Sequence, residues 1–408
     1  MKKVTTIIIG GGFSGMVCAA NLNEKNQNVL LIERLDRLGK KLSATGNGQG
    51  NLTNTNFGIS HYFTNDLKER QKIENVLANA TEKELISFFE KLGGLFFADE
   101  RGRVYPTSRQ ASSLTDLLRH YLSEKKTEMM LSSKVTDIKR EGEGFIVSIQ
   151  TADDTQKVYC ENIVVCAGGK SAKNFGTDGN GYDLAKKFKH TTTELYPALV
   201  QLKTDTSKTK ALKGIRVVNA KISAFKGESL LKVVRGDLLF TEFGVSGDGI
   251  FKLSSYLIHR VSTGNVRIAI DLLPEISIER LRETLDVKQK SFTGKTEDFL
   301  CGILNNQIGR MIMREGRKTS EIVEKIKNFS LEVTGSLGFD YAQVTKGGIP
   351  LSEMDENLQS RKQNGLYFAG EILDVDGECG GYNLQWAYSS AITVANALNK
   401  KYKAGGQV

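Results

Sequence analysis

Gly10, Gly12 and Gly15 follow a short apolar run at residues 4–9, and a carboxylate, Glu33, closes a second apolar run eighteen residues beyond Gly15. That spacing suits a dinucleotide. Gly10 permits a tight turn, Gly12 has no Cβ to hold the backbone away from a diphosphate, and Gly15 lets a helix pack close to a strand. The helix that opens here, with Ser14 in its first turn, offers unpaired N–H groups and partial positive charge to phosphates. Glu33 can accept hydrogen bonds from both adenosine ribose hydroxyls. Its charge would repel a 2′-phosphate, which argues against NADP in this slot.

Two later stretches favour FAD over NAD. Residues 163–167 (IVVCA) run into Gly168-Gly169, and residues 365–369 (GLYFA) run into Gly370-Glu371. Both place bare backbone at the carboxyl end of a strand, where open α/β sheets bind their ligands. A long cofactor that touches several strand ends explains all three. No second complete GxGxxG is present, so a dedicated NAD(P)H domain is not visible.

The stretch T45-G-N-G-Q-G-N51 holds three glycines and two asparagines. Such a composition resists both helix and strand, because glycine loses the most backbone entropy on ordering. It suits the rim of a flat ring: amides of Thr45, Gly46, Asn47 and Gly48 line an edge without bulk, and Asn47 and Asn51 add directed hydrogen bonds. On this reading the ligand supplies the order. Lys40 and Lys41, just before it, are expected near the diphosphate. A second glycine cluster at 377–383 (GECGGYN) leads into a helix whose N-terminus would stabilise negative charge on the ring's pyrimidine side.

The elements that must hold these groups follow from periodicity. Residues 4–9 and 28–33 read as buried strands with a helix between them, the unit of a parallel sheet. Residues 144–150 alternate, and 163–167 form a buried strand. From about 195 the pattern becomes alternating runs (198–203, 215–225, 229–240, 266–272), a mostly antiparallel β domain. Residues 276–328 show helical periodicity, including one continuous stretch at 298–313. Residues 384–400 form an amphipathic helix with lysines in its last turn. The fold class is therefore α/β. A Rossmann-like domain (1–192 and 345–408) is interrupted by a β-rich domain (193–274 and 329–344) that carries a helical insertion (275–328).

Bulk properties exclude some classes. The 408 residues exceed one ordinary core. The longest apolar strings are strand-sized, so no membrane span is expected. Met1-Lys2-Lys3 with its short apolar sequel reads as a first strand, not a signal peptide. Five scattered cysteines without CxxC, and four histidines, argue for a reducing cytoplasm and against structural zinc. The formal charge is +9, but the lysines are spread along the chain and no RNA-binding module is visible. The expected partner is a small-molecule substrate rather than a nucleic acid, and nothing in the sequence specifies an oligomeric state.

Several motifs, GKKLSATGNGQGNLTN (39–54), GRVYPTSRQA (102–111), GTDGNGYDLA (176–185), GDLLFTEFGVSGDGI (236–250), VTKGGI (344–349) and GLYFAGEILDVDGECGGYNLQWAYSS (365–390), resemble a bacterial family of FAD-dependent oxidoreductases that includes aminoacetone oxidase and a dehydro-bile-acid reductase. The resemblance spans nearly the whole chain. It implies a two-dinucleotide-type FAD domain, with contacts at Gly10, Gly12, Ser14, Gly15, Glu33, Lys40, Lys41, Thr45, Asn47, Val135, Ala167, Gly168, Gly370, Glu371, Asn383 and Leu384; Val135 would meet adenine through its backbone. The chain departs from the family where Gln49-Gly50 replace Arg-Cys, and where Glu242 and Asp248 replace His and Pro.

Hydride chemistry belongs to a flavin, so the protein supplies pocket, orientation and a proton. The leading expectation is reduction of an activated C=C, as in a steroid or bile-acid enone, with NAD(P)H as a transient electron donor. Tyr382 and Glu242 are the candidate acids, and Arg103 is the candidate for orienting an anionic group. Tyr382 could instead only stack on the ring, Glu242 could be a solvated loop residue, and Arg103 could pair with Asp99 or Glu100. Cys379 is expected to be a packed small residue. The alternatives are an amine oxidase of aminoacetone type using O2 and, in another class, a flavin-bearing RNA-modifying or RNA-binding protein.

Overall fold

A computed structural model describes residues 1–22, 27–261 and 263–404. The chain divides into two compact units, residues 1–195 with 344–408, and residues 196–343.

The first unit is built on a seven-stranded sheet. Lys2–Ile9 lies at its centre, with Val29–Ile32 parallel on one side and Thr155–Val165 parallel on the other. Glu128–Met130 extends the sheet beyond Val29–Ile32. The long strand Thr155–Val165 is shared. Its first half pairs antiparallel with Gly144–Gln150, while its last three residues pair parallel with Leu366–Phe368, which returns from the far end of the chain. Ile7, Ile8, Leu30, Leu31, Ile163, Val164 and Val165 are fully buried, as continuous apolar runs in a covered parallel sheet must be. Phe13–Asn21 covers the sheet with eight of its nine residues buried, and Tyr382–Ala404 packs beside it.

The second unit is a closed antiparallel barrel in the order 202–204, 244–246, 229–240, 216–226, 266–271, 329–336. Closure removes the exposed edges that an open sheet of this size would leave. The helix Asp248–Val261 buries Ile250, Leu253 and Leu257 in the barrel's core. The helices Ile278–Ser291, Asn306–Glu315 and Thr319–Lys327 share that core through Leu281, Leu285, Ile308, Ile312, Ile322 and Ile326. The continuous helical stretch expected over 298–313 is interrupted. Its helix starts only at Asn306, because the Asn305 side chain accepts the Gln307 N–H and caps it there. Among the described residues no helix is long and apolar enough to cross a membrane.

Within the first unit a buried polar triad ties distant segments. His190 Nδ1 lies 2.5 Å from Glu353 Oε2 and His190 Nε2 lies 2.7 Å from Ser360 Oγ. Ser360 Oγ also accepts the Lys362 and Gln363 N–H groups, so it is a structural hydroxyl and not a nucleophile. Burial holds the imidazole below its usual pKa, and Lys362, Thr191 and His190 hold Glu353 below the carboxylate range. The native state therefore keeps His190 neutral, and the unfolded state binds the extra proton below about pH 6.5. Stability should be full above that pH and fall as the pH drops through it. Thermal unfolding between pH 8 and pH 5 should show this fall, and H190Q should flatten it while lowering stability at pH 8 by about 1–3 kcal/mol, through partners left unsatisfied.

Candidate functional site

Three strand ends meet in the first unit, and glycines let them meet. A Cβ on Gly15 would lie 1.9 Å from the Gly10 carbonyl oxygen, and a Cβ on Gly10 would lie 2.5 Å from the Cys166 carbonyl oxygen. Helix Phe13–Asn21, the strand Lys2–Ile9 and the strand ending at Val165 thus touch main chain to main chain. Gly12 differs. A Cβ there would meet nothing within 4 Å, and its φ of −74° is ordinary. The space before the helix N-terminus is open where a diphosphate would need it, so the residues present fit the group that the spacing implies.

Glu33 lies buried beside this opening. Its Oε2 accepts the Gly11 N–H at 2.7 Å and its Oε1 accepts the Leu35 N–H at 2.8 Å. Burial raises its pKa, and the two N–H donors pull against that. Each oxygen keeps a lone pair for a ribose hydroxyl. Alongside, Ser133 donates its N–H to the Glu33 carbonyl. The ladder between Lys134–Glu141 and Gly144–Gln150 slips between Val135 and Asp137, a bulge that leaves local backbone groups outside the regular pairing. Val135 is buried there.

On the opposite side the two glycine clusters pack on each other. A Cβ on Gly381 would lie 2.5 Å from the Thr53 carbonyl, Thr53 Oγ1 donates to Gln385 Oε1 at 2.6 Å, and Asn54 Nδ2 donates to the Gly380 carbonyl at 3.1 Å. Asn51, with its amide oriented to satisfy both ends, donates to the Thr53 carbonyl and accepts from the Gly381 N–H. The expectation that a ligand alone orders residues 45–51 is corrected by this geometry. The Thr45 carbonyl accepts the Gly50 N–H, Thr45 Oγ1 donates to the Leu42 carbonyl, and Gly46 and Asn47 adopt left-handed backbone that closes the turn on itself. Asn51 belongs to the protein's own network, while Asn47 and Gly48 remain exposed on the rim.

The remaining expected contacts divide by what their atoms already do. Gly168 has φ +70°, and Ala167 lies against Gly181. Gly370 is locked: it donates its N–H to Ser390 Oγ and accepts from Trp386 Nε1, and a Cβ there would lie 2.6 Å from Ser14 Oγ. Asn383 spends its side chain on the turn, accepting the Gly377 N–H and donating to the Gly377 carbonyl, both at 2.8 Å. Leu384 is half-buried in the first turn of the helix. The two lysines expected near the diphosphate each have an acidic partner. Lys41 pairs with Glu371 at 2.7 Å, and Lys40 pairs with Asp36.

The three residues expected to act on substrate each have a protein partner. Glu242 is exposed and paired with Lys213 at 2.6 Å, and that hydrogen bond holds its carboxyl below the usual range, the wrong direction for a proton donor at neutral pH. Arg103 is committed to Asp99 through both Nε and Nη2, at 2.8 and 2.6 Å. Tyr382 donates its hydroxyl to the Asn56 carbonyl, its ring is stacked on His61 with centroids 4.4 Å apart, and burial pushes its pKa up to about 12. Its ring forms a wall of the turn. Sequence reasoning missed His61 and Lys346, whose partners lie far away along the chain, and Trp386 and Ser390, which meet Gly370 within one quoted motif but whose contact only the folded helix creates. Cys379 is half-buried and unbridged.

Such a fold and cradle define a Rossmann-type dinucleotide-binding protein. The chain belongs to the HI0933-like Rossmann family, whose model matches residues 4–397. It is 34% identical to a 3-dehydro-bile acid Δ(4,6)-reductase of Clostridium scindens, over 97% of this chain and 98% of that protein. It is 28% identical to ribosomal RNA dihydrouridine synthases of Haemophilus influenzae (97% and 98% covered) and Escherichia coli (98% and 98% covered). Among solved structures it resembles 3-ketosteroid Δ1-dehydrogenase from Sterolibacterium denitrificans (TM-score 0.53, 13% identity, 98% of this chain and 100% of that one). It also resembles the FrdA subunit of E. coli quinol fumarate reductase (TM-score 0.53, 14% identity, 100% and 72%). Family and fold together make it a Rossmann-type protein with the fold of these oxidoreductases.

The two glycines of the fingerprint should separate in experiment. Gly12→Ala should leave the apoprotein's stability within about 0.5 kcal/mol of wild type, since nothing crowds the new methyl. It should weaken FAD binding at least tenfold, about 1.4 kcal/mol. Gly15→Ala should lose at least the ~1–3 kcal/mol typical of overpacking before any ligand is added. Unfolding of the two apoproteins, with FAD titration of the first, checks both.

Proposed function

We propose that this protein reduces a carbon–carbon double bond conjugated to a carbonyl, in a small polycyclic substrate of steroid or bile-acid type. The observation that supports the reading is the convergence of three glycine-lined strand ends on the open space before a helix N-terminus, with the buried Glu33 carboxylate beside it. The 34% identity to a bile-acid reductase over nearly the whole of both chains supports the substrate class.

The chain's own residues have definite tasks. Glu33 holds the adenosine ribose, and Val135 offers backbone to the adenine. Gly10, Gly12, Ser14 and Gly15 present the helix N-terminus to the diphosphate. Ala167, Gly168 and the locked Gly370 give a flat wall. Thr45, Asn47 and the Asn383–Leu384 end of the last helix frame the ring, where helix N–H groups favour negative charge. Lys41 and Glu371 neutralise each other and fix the spacing between two of these walls. When bound, the flavin supplies hydride transfer. A reduced nicotinamide is the proposed donor; with no second GxGxxG in the chain, it would bind transiently.

A second reading has a specific observation in its favour. Two relatives that match over nearly their full length are named as ribosomal RNA dihydrouridine synthases. Uracil also carries a C=C conjugated to a carbonyl, so the same hydride chemistry would serve, and the +9 charge suits a phosphate backbone. Anaerobic stopped-flow separates the readings. Protein reduced by NAD(P)H should be reoxidised by a 3-oxo-Δ4 steroid faster than without acceptor. Reoxidation by unmodified ribosomal RNA alone would replace the leading reading with the second. Oxygen uptake driven by aminoacetone, with neither acceptor active, would replace both with amine oxidation.

A further inference from the structure

The segment between Gly370 and the glycine turn carries three acids, the buried Asp374 and Asp376 and the half-buried Glu371, with the half-buried lysines Lys41 and Lys346 as ion-pair partners of Glu371 and Asp376. Glu371 is satisfied by Lys41 and by the Thr345 N–H. Asp374, 2% exposed, accepts from the Asn65 N–H and from Asn65 Nδ2. Asp376, 1% exposed, is different. Its Oδ1 meets Lys346 Nζ at 3.0 Å, but its Oδ2 is buried with no hydrogen-bond partner. The Tyr182 hydroxyl, within electrostatic reach of Glu371 and Asp374, is buried and unpartnered as well.

Lys41 pairs with Glu371 and Lys346 with one oxygen of Asp376, while Asp374 has only amide donors, so three acids share two cations and the second oxygen of Asp376 is left with no donor. An ionised carboxylate oxygen with no donor is costly in the interior, and a neutral one is less so. The other groups facing Asp376 offer no relief. Its partner strand Tyr62–Phe63 is uncharged, and Lys346 is shared with the face of the Phe63 ring at 5.0 Å. Asp374 and Glu371 raise its proton affinity further, and burial is the largest cause of a pKa raised to about 6.

Asp376 directly precedes Gly377, whose N–H and carbonyl are both held by the Asn383 side chain at the start of the last helix. Asp376 is thereby the residue next to the turn that frames the ring in the reading above, on which this inference rests. We propose that Asp376, held by Lys346, is a charge-compensating proton store beside this site: its free oxygen takes up a solvent proton when the ring framed by the turn gains negative charge and returns that proton to solvent when the charge is lost. The reductant is the nicotinamide donor, and Asp376 acts through charge, as a positioning group without contact with substrate.

The test measures protons rather than turnover. On anaerobic reduction above pH 6, the wild-type holoprotein should take up one more proton per two electrons than D376N, read with an indicator dye. K346M should move the onset of that extra uptake to higher pH, because the cation that favours the carboxylate is gone. Equal uptake by wild type and D376N, or an onset unmoved in K346M, would overturn the proposal. Infrared titration of the flavin-free protein gives an independent reading. A protonated-carboxyl C=O band should titrate near neutral pH and be missing from D376N, and its absence from wild type would also overturn the proposal. A protein that shows this band but takes up no flavin would instead overturn the reading of the site as a flavin cradle.

Discussion

The structure of the first unit depends on one close approach: main chain on main chain where the helix Phe13–Asn21 leaves the strand Lys2–Ile9. A methyl on Gly15 would sit 1.9 Å from the Gly10 carbonyl. Without that contact the helix could not lie low enough to cover the apolar strands, and its N-terminus would not face the opening at Gly12. Packing and ligand chemistry impose the same demand here, which is why a stability requirement and a binding requirement fall on adjacent glycines.

The other walls follow from this placement. The strand that ends at Val165 lies one ladder away, and Leu366–Phe368 lies beside it, so Gly168 and Gly370 arrive at the same edge. The last helix then locks the third wall with Trp386 and Ser390, and its N-terminal turn clasps the 45–54 segment through Asn51, Thr53 and Asn54. Polar side chains in this region are mostly spent on each other. That is the physical reason so few remain to act on a substrate.

Much of this was legible in the sequence because it rests on local rules. The fingerprint glycines, Glu33 and the continuous apolar strands each carry their meaning within a few dozen residues, and the alternating runs after residue 195 do become an antiparallel barrel. What could not be read is pairing across long separations. Nothing near Glu242 shows that Lys213 will claim it, nothing near Tyr382 shows His61 stacked on it, and Lys346 lies thirty residues from the acid it meets. The Asn305 cap was a local signal overridden in the reading by strong apolar periodicity around it. The composition of residues 45–51 suggested looseness, yet left-handed glycine and asparagine backbone is what closes that turn.

The central claim is that one cradle holds both halves of a dinucleotide, the adenosine side at Glu33 and the ring side at the two glycine turns. Comparing FAD with FMN on the flavin-free protein tests it most directly, because FMN lacks the adenosine and one phosphate. Equilibrium titration by flavin fluorescence should show one FAD per chain, bound at least a hundredfold, about 2.8 kcal/mol, more tightly than FMN. Equal affinity for the two, or no binding of FAD by a folded chain, would contradict the account.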